Sequence, residues 1–121
     1  MNTRTPIPAP QALRTGAAFA LAGVILGAFG AHALKETLEA RDSLAVWETA
    51  VDYQMWHALA ILLAALMGER PRSALCFALG ILLFSGSLYW LALGGPAWLG
   101  PVTPLGGLSL MAGWGCMMLG K

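Results

Sequence analysis

The stretch from Trp47 to Met67 restricts the fold more than any other part of this 121-residue sequence. From Gln54 to Met67 it is an apolar helix in which His57 is the only ionisable residue. That run is too short to cross a hydrocarbon core of about 30 Å at about 1.5 Å per residue. A spanning helix must therefore include the polar residues before it. Polar groups at that depth are costly unless they face protein or water, which makes functional candidates of Glu48, Asp52, Tyr53 and Gln54.

The distribution of charge indicates a single integral membrane domain. The sequence is 58% hydrophobic and 11% charged, whereas a soluble domain is about 25% charged. The charges occur in the N-terminal tail, at residues 35–52, at residues 69–72 and at the last residue, and the uncharged runs between them are typical of membrane spans. A net charge of +1 with no basic cluster predicts no nucleic-acid partner.

The predicted fold is all-α, an antiparallel bundle of four transmembrane helices. Residues 14–121 form this domain, and residues 1–13, with three prolines, are predicted to be a disordered tail. Asp42 or Ser43 is the predicted N-cap of the second helix, and Thr103 caps the fourth, with Pro104 at its first position. The predicted spans cover about residues 15–34, 48–67, 73–93 and 104–119.

A cleavable signal peptide is a competing interpretation of the first span. Ala31-His32-Ala33 fits the small-x-small cleavage rule, and Arg4 and Arg14 precede the apolar run. The run is longer than the usual signal-peptide core of about 7–15 residues, which favours a span.

Two of the predicted spans have a face of small residues. In lipid such faces allow two backbones to approach closely, so the first and fourth spans are predicted to pack against each other. The first span offers Gly16, Ala20, Gly23, Gly27 and either Gly30 or Ala31, and the fourth offers Gly106, Ser109, Gly113, Cys116 and Gly120. Cys76 and Cys116 lack metal-site spacing and are predicted to be packing residues.

Lysine and arginine predict the orientation. Four spans bring both termini to one side, together with Arg70 and Arg72, and only Lys35 and Arg41 lie on the other side. The positive-inside rule then places both termini in the cytoplasm of a bacterial inner membrane. Six tryptophan and tyrosine residues are predicted to lie at the outer end, where they form either an interfacial belt or the wall of a pocket: Trp47, Tyr53, Trp56, Tyr89, Trp90 and Trp98.

A polar cluster is predicted in the outer half of the bundle. Thr49, Tyr53 and His57 share one helix face at a spacing of four residues, and Gln54 borders it. His57 is predicted to face the interior, bonded to Tyr53 or Gln54 and to a group of the first or third span such as His32, Ser85 or Ser87. The full set of candidates is His32, Glu48, Thr49, Asp52, Tyr53, Gln54, His57, Ser85, Ser87 and Tyr89.

The chemistry of this cluster leaves several functions open. His32 and His57 with a carboxylate would form a weak metal site, although neither has HxxxH or HxxE spacing, and no cofactor is predicted. Ionisable groups within spans also fit an oligomeric transporter or channel for protons, ions or a small solute. The sequence has no visible nucleophile–base pair and no paired-carboxylate motif, so an enzyme is less favoured. The favoured hypothesis is a non-catalytic packing or accessory subunit in the lipid bilayer, as a homo-oligomer or in a larger membrane complex.

Motifs in every span resemble one known family. They are Gly27-Ala-Phe-Gly-Ala-His-Ala-Leu34, Trp47-x-Thr-Ala-Val-x-Tyr-Gln-Met-x-His-Ala-Leu59, Phe84-Ser-Gly-Ser-Leu-Tyr89, Thr103-Pro-x-Gly-Gly107 and Gly113-Trp114. Together they resemble the YgdD-like family of small bacterial inner-membrane proteins of unknown function, which has a related eukaryotic transmembrane protein. The resemblance covers about residues 14–119. It implies a four-helix membrane protein and no assigned activity.

Overall fold

The computed structural model describes residues 10–68 and 70–121, which are almost entirely helical. The tail predicted for residues 1–13 lies outside the described residues up to residue 9, and residues 10–13 already belong to the first helix. The elements are α1 (Pro10–Ala31), α2 (Lys35–Ala40), α3 (Leu44–Leu66), α4 (Pro71–Ala92), a 3₁₀ turn (Ala97–Leu99) and α5 (Val102–Met118).

Three helices are long and apolar enough to cross a membrane: α1, α3 and α4. They contain 22, 23 and 22 residues, so each extends more than about 30 Å. The fourth long helix, α5, has 17 residues and carries no charge. Large apolar side chains are exposed on all four helices, for example Leu21, Leu66, Leu82 and Met111, as expected for surfaces that face lipid.

The long helices pack in chain order, and each neighbouring pair is antiparallel. Along α1, Gly16 lies against Leu62 of α3 and Gly30 lies against Trp47 of α3, so these two helices run in opposite directions. Hydrogen bonds relate α3 to α4 in the same way, and Phe77 and Phe84 of α4 contact Gly113 and Gly106 of α5. The result is three principal interfaces, α1–α3, α3–α4 and α4–α5.

The predicted contact between the first and fourth spans is wrong. The small face of α1 packs on α3, where Gly23 lies beside Met55 and Gly27 beside Val51. The small face of α5 packs on α4, where Gly113 lies beside Phe77. A glycine face receives a large side chain as readily as it receives a second small face, and each of the two helices has a chain neighbour within reach.

Ser43 occupies the predicted N-cap position of α3 without making a side-chain cap hydrogen bond, and the prediction of Thr103 as a cap is wrong. Ser43 does precede α3, but its hydroxyl donates to the Ala92 carbonyl at the end of α4, 2.7 Å away. Thr103 lies inside α5, and its Oγ1 is 2.6 Å from Ser87 Oγ of α4. In both cases a bond between helices takes the place of a cap within one helix.

The core divides into two parts along the helices. One cluster of buried side chains joins α3, α4 and α5 and consists of Ala60, Ile61, Phe77, Ile81 and Leu110. The other lies at the end that carries α2 and consists of Leu38, Trp47 and Ala92. Leu38 is fully buried, so the short helix α2 closes this end of the protein.

Candidate functional site

Gln54 joins three helices through its side-chain amide. It is buried in α3, its Nε2–H donates to the Phe19 carbonyl of α1 at 2.8 Å, and its Oε1 accepts from the Tyr89 hydroxyl of α4 at 2.6 Å. The Phe19 carbonyl is part of a regular helix and accepts this bond on its second lone pair. Gln54 therefore stabilises the contact of α3 with both neighbours.

Trp47 lies about two turns before Gln54 in α3, nearer the α2 end, and it also contacts both α1 and α4. Its indole N–H donates to the Leu26 carbonyl of α1 at 2.8 Å, and its ring meets the edge of the Tyr89 ring at a centroid distance of 4.7 Å. Gly30 makes room for the indole. Two of the predicted outer aromatics, Trp47 and Tyr89, thus lie in the interior. Trp56, Trp90 and Trp98 are exposed; Trp90 lies near the end of α4, whereas Trp56 lies near the middle of α3, which is not the position of an interfacial belt.

His57 faces the interior, but its partner from another helix is Trp114 of α5. Its Nε2 accepts from the Trp114 indole N–H at 3.0 Å, and its Nδ1 lies 2.7 Å from the Tyr53 carbonyl. An indole N–H only donates, so Nε2 carries no proton and Nδ1–H donates to Tyr53. The arrangement fixes a neutral imidazole, and the rings of Tyr53, Phe77 and Trp114 surround it.

The predicted bond of His57 to Tyr53 is confirmed and is made to the backbone carbonyl. The predicted partner from the first or third span is wrong, because Ser85 and Ser87 bond elsewhere. His32 is exposed just beyond α1. Gly30 lies level with Trp47, which precedes His57 by about 15 Å along α3. The two histidines therefore do not approach each other.

Serine hydroxyls join the remaining interfaces. Ser85 of α4 is buried and donates to the Ala50 carbonyl of α3 at 2.7 Å. Ser87 pairs with Thr103 of α5, as described above. Ser109 of α5 donates to the Cys76 carbonyl of α4 at 2.8 Å. Every principal interface thus contains at least one side-chain hydrogen bond to the neighbouring helix.

Four predicted cluster residues lie at the surface instead: His32, Glu48, Thr49 and Asp52. The Thr49 hydroxyl donates to the Ala45 carbonyl of its own helix, so Thr49 does not share the interior face with His57. Glu48 and Asp52 border a groove of about 200 Å³ between α1 and α3. Within the described residues, no three His, Cys, Asp or Glu side chains lie close enough to hold a metal ion.

Trp114, Phe77 and Ser109 were not among the residues predicted for this network. Trp114 had a detectable signal, because it is the only side-chain N–H donor in α5 and a donor in lipid needs an acceptor. Its spacing relative to His57 could not be recognised, since the two residues lie on different helices. Phe77 and Ser109 gave no distinguishing signal, because both residue types are common in membrane helices.

The fold and this network define a class: a polytopic helical membrane protein whose buried polar side chains bond one helix to the next. Within that class, the chain belongs to the family described as a protein of unknown function, DUF423, whose model matches residues 26–107. This confirms the family that the motifs indicated.

Relatives from several bacteria match most of the chain. The UPF0382 inner membrane protein YgdD of Escherichia coli K12 is 47% identical over 103 residues, which cover 80% of this chain and 78% of that protein. The UPF0382 membrane protein YwdK of Bacillus subtilis is 42% identical over 107 residues, which cover 82% and 85%. A UPF0382 membrane protein of Staphylococcus epidermidis is 40% identical over 104 residues, which cover 82% and 84%. No solved structure matches the chain.

Proposed function

We propose that this protein is a non-catalytic packing or accessory subunit of the bacterial inner membrane that acts through its lipid-facing surfaces. One observation carries the proposal: the polar residues that are buried among the described residues are bonded to partners within the chain. This holds for the buried polar residues Ser43, Gln54, His57, Ser73, Ser85 and Ser87. Such pairing is the expected state of groups that hold helices together in lipid.

The same pairing gives less support to proton transport or catalysis by His57. A general base needs a free lone pair within reach of a substrate. In His57 the lone pair of Nε2 accepts from Trp114, and Nδ1–H is bonded to Tyr53. A transport function would require these bonds to break, so we favour the accessory role over the transporter.

The proposal includes a fourth span and a cytoplasmic position for both termini. The 17 residues of α5 fall at the lower end of the range for a spanning helix, about 17–25 residues. Arg70, in the connection between α3 and α4, donates from Nη1 to the Gly120 carbonyl at 2.6 Å, so this connection and the C-terminus share one end. That end carries most of the lysines and arginines, which favours the cytoplasm.

Cysteine labelling tests this orientation. Ser43 and Ser73 are unsuitable label sites because both are buried. Exposed positions are available at Ala40 and Leu119. In a background with Cys76 and Cys116 replaced by serine, an impermeant maleimide should label Ala40→Cys but not Leu119→Cys in intact spheroplasts. The opposite pattern would overturn the orientation.

The accessory role is tested by recovering the tagged chain from native membranes in mild detergent. We expect a larger assembly of constant composition on native gels. Gly86 and Gly115 are suited to disrupting it, because no atom of the chain outside their own helix neighbourhood lies within 4 Å of an added side chain. Gly86→Leu or Gly115→Leu should release the partner while the thermal stability of the chain is unchanged. A chain that is monomeric in native membranes, with proton flux in proteoliposomes that His57→Asn abolishes, would contradict the proposal.

A further inference from the structure

A groove opens between α1 and α4 at the end that contains the α3–α4 connection. Its volume is about 650 Å³. We call it the alanine groove, and its lining residues are Gln11, Ala12, Thr15, Ile61, Ala64, Ala65, Arg70, Pro71, Ala74, Leu75 and Ala78.

The groove exists because α1 and α4 both pack on α3 and make little contact with each other. The side chains that face one another across it include the alanines Ala12 of α1 and Ala74 and Ala78 of α4, which are too short to close the space. The buried residues Ile61, Ala64 and Ala65 form its base. From Pro71 to Ala78 it extends roughly 10 Å along α4. An apolar groove of this length that opens toward the hydrocarbon fits a lipid acyl chain.

Arg70 gives the alanine groove a charged end. Its guanidinium is partly buried, and Nη1 is held by the Gly120 carbonyl. Its Nε is buried and has no hydrogen-bond partner among residues 10–68 and 70–121. In the same part of the chain, the only ion pair is that of Lys35 with Glu39, so no described carboxylate neutralises Arg70. A partly desolvated cation without an anion favours an anionic ligand.

We infer that the alanine groove binds an anionic phospholipid, with one acyl chain along the alanines and the phosphate against the Arg70 guanidinium. Arginine matches phosphate through parallel N–H donors. Arg14, Arg72 and Lys121 are exposed at the same end and add attraction for an anionic headgroup. This inference goes beyond the accessory role and does not depend on it, because it concerns a lipid and not a protein partner.

Native mass spectrometry of the full-length protein in detergent tests the inference on the unaltered chain. Phosphatidylglycerol and phosphatidylethanolamine with identical acyl chains are added at equal concentration. We expect one phosphatidylglycerol adduct to be retained at collision energies that remove phosphatidylethanolamine. Equal retention of the two lipids would overturn the inference.

Two variants locate the site. Arg70→Gln should weaken phosphatidylglycerol binding about five- to tenfold, and the matched control Arg72→Gln, whose arginine does not line the groove, should change it less. Ala78→Phe should fill the groove and reduce binding with Arg70 intact, whereas Ala112→Phe on the exposed face of α5 should have no effect.

The same experiment also distinguishes the lipid from two other candidate occupants of the groove. A dimer that Ala78→Phe dissociates, without a change in lipid adducts, would assign the groove to a second copy of the chain. Removal of residues 1–9 that strongly increases lipid binding would assign it to that segment. Either result would replace the lipid as the occupant.

Discussion

The α1–α3 and α4–α5 interfaces use glycine in two different ways. On α1, glycines face long side chains of α3, so that Gly30 receives the Trp47 indole and Gly23 receives Met55. In the α4–α5 interface, Gly106 lies directly against the backbone of α4. A methyl group on Gly106 would lie 2.7 Å from the backbone atoms Leu83 C and Phe84 Cα. The first interface is a row of side chains in a small-residue groove, whereas the second combines side-chain contacts, as at Gly113, with a contact between two backbones at Gly106.

This difference shows that a small-residue stripe does not by itself describe an interface. Where side chains fill the space, a larger residue can be accommodated by a change of rotamer in the partner. Where backbone meets backbone, only a separation of the helices makes room. The two kinds of interface should therefore respond differently to the same glycine-to-alanine change.

The largest effect is expected from Gly106→Ala. The added methyl group meets backbone atoms that cannot change rotamer, so the variant should lose about 3 kcal/mol or more of stability. Gly107→Ala is the matched control, because its methyl group would meet only Phe84 Cδ2 at 3.9 Å. The free energy of unfolding in an SDS titration of the bicelle-reconstituted protein measures both. Equal values for the two variants would show that α4 and α5 are not in backbone contact.

A smaller loss is expected from Gly30→Ala. Its methyl group would lie 2.5 Å from the indole Nε1 of Trp47, so the ring must move and its bond to the Leu26 carbonyl weakens. We expect a loss of about 1–2 kcal/mol. Gly27→Ala should lose less, since the nearest atom of Val51 is 3.3 Å away. The maximum of tryptophan emission should shift in the Gly30→Ala variant but not in the Gly27→Ala variant. A loss as large as that of Gly106→Ala would abolish the distinction between the interfaces.

Substitution of His57 by asparagine should rank next, and substitution by leucine should cost at least as much as Gly30→Ala. Leucine removes both hydrogen bonds and leaves the Trp114 indole N–H unpaired, whereas asparagine can keep the bond to the Tyr53 carbonyl. We expect the order wild type, His57→Asn, His57→Leu, with about 0.6–1.7 kcal/mol for each bond that is lost. A double-mutant cycle with Trp114→Phe isolates the bond between the two side chains. A coupling energy of zero would remove His57 from the contact between α3 and α5.

The smallest effect is expected from Gly86→Ala. No neighbouring atom lies within 4 Å of the added methyl group, so nothing opposes it. The stability of the isolated chain should be unchanged or slightly higher, because alanine is the better helix former. The SDS titration used for Gly106→Ala measures this directly. A clear loss of stability would mean that the exposed face of α4 has a contact within the chain.

Much of the fold could be predicted from the sequence because it depends on hydropathy. The uncharged runs located α1, α3 and α4, with ends displaced by a few residues, and the family motifs agreed with them. The partner of each helix could not be predicted. Gly27 and Gly113 each indicate that some neighbour approaches closely, but any neighbour satisfies that requirement.

The candidate site was less predictable for a related reason. The spacing of His57 and Gln54 in α3 identified them as buried polar groups, and the structure places both in the interior. Both donate to a backbone carbonyl rather than to a polar side chain. Gln54 bonds to the carbonyl of Phe19, and Ser109 bonds to the carbonyl of Cys76. A backbone carbonyl exists at every position, so the sequence contains no mark of the one that is used.

The hydrogen bonds between helices also have a direction along the chain. Within the core, Trp47 and Gln54 of α3 donate to α1. Each donor further along the chain likewise donates to a helix that precedes its own; these donors are Ser85, Tyr89, Ser109 and Trp114. The donors that point forward, Ser43, Arg70 and Ser73, lie at helix ends. As the chain leaves the ribosome, each helix therefore enters the bilayer with its acceptors already in place. Apart from the pair of Ser87 and Thr103, in which either hydroxyl can donate, these core donors enter the bilayer after the helix that carries their acceptor has been made.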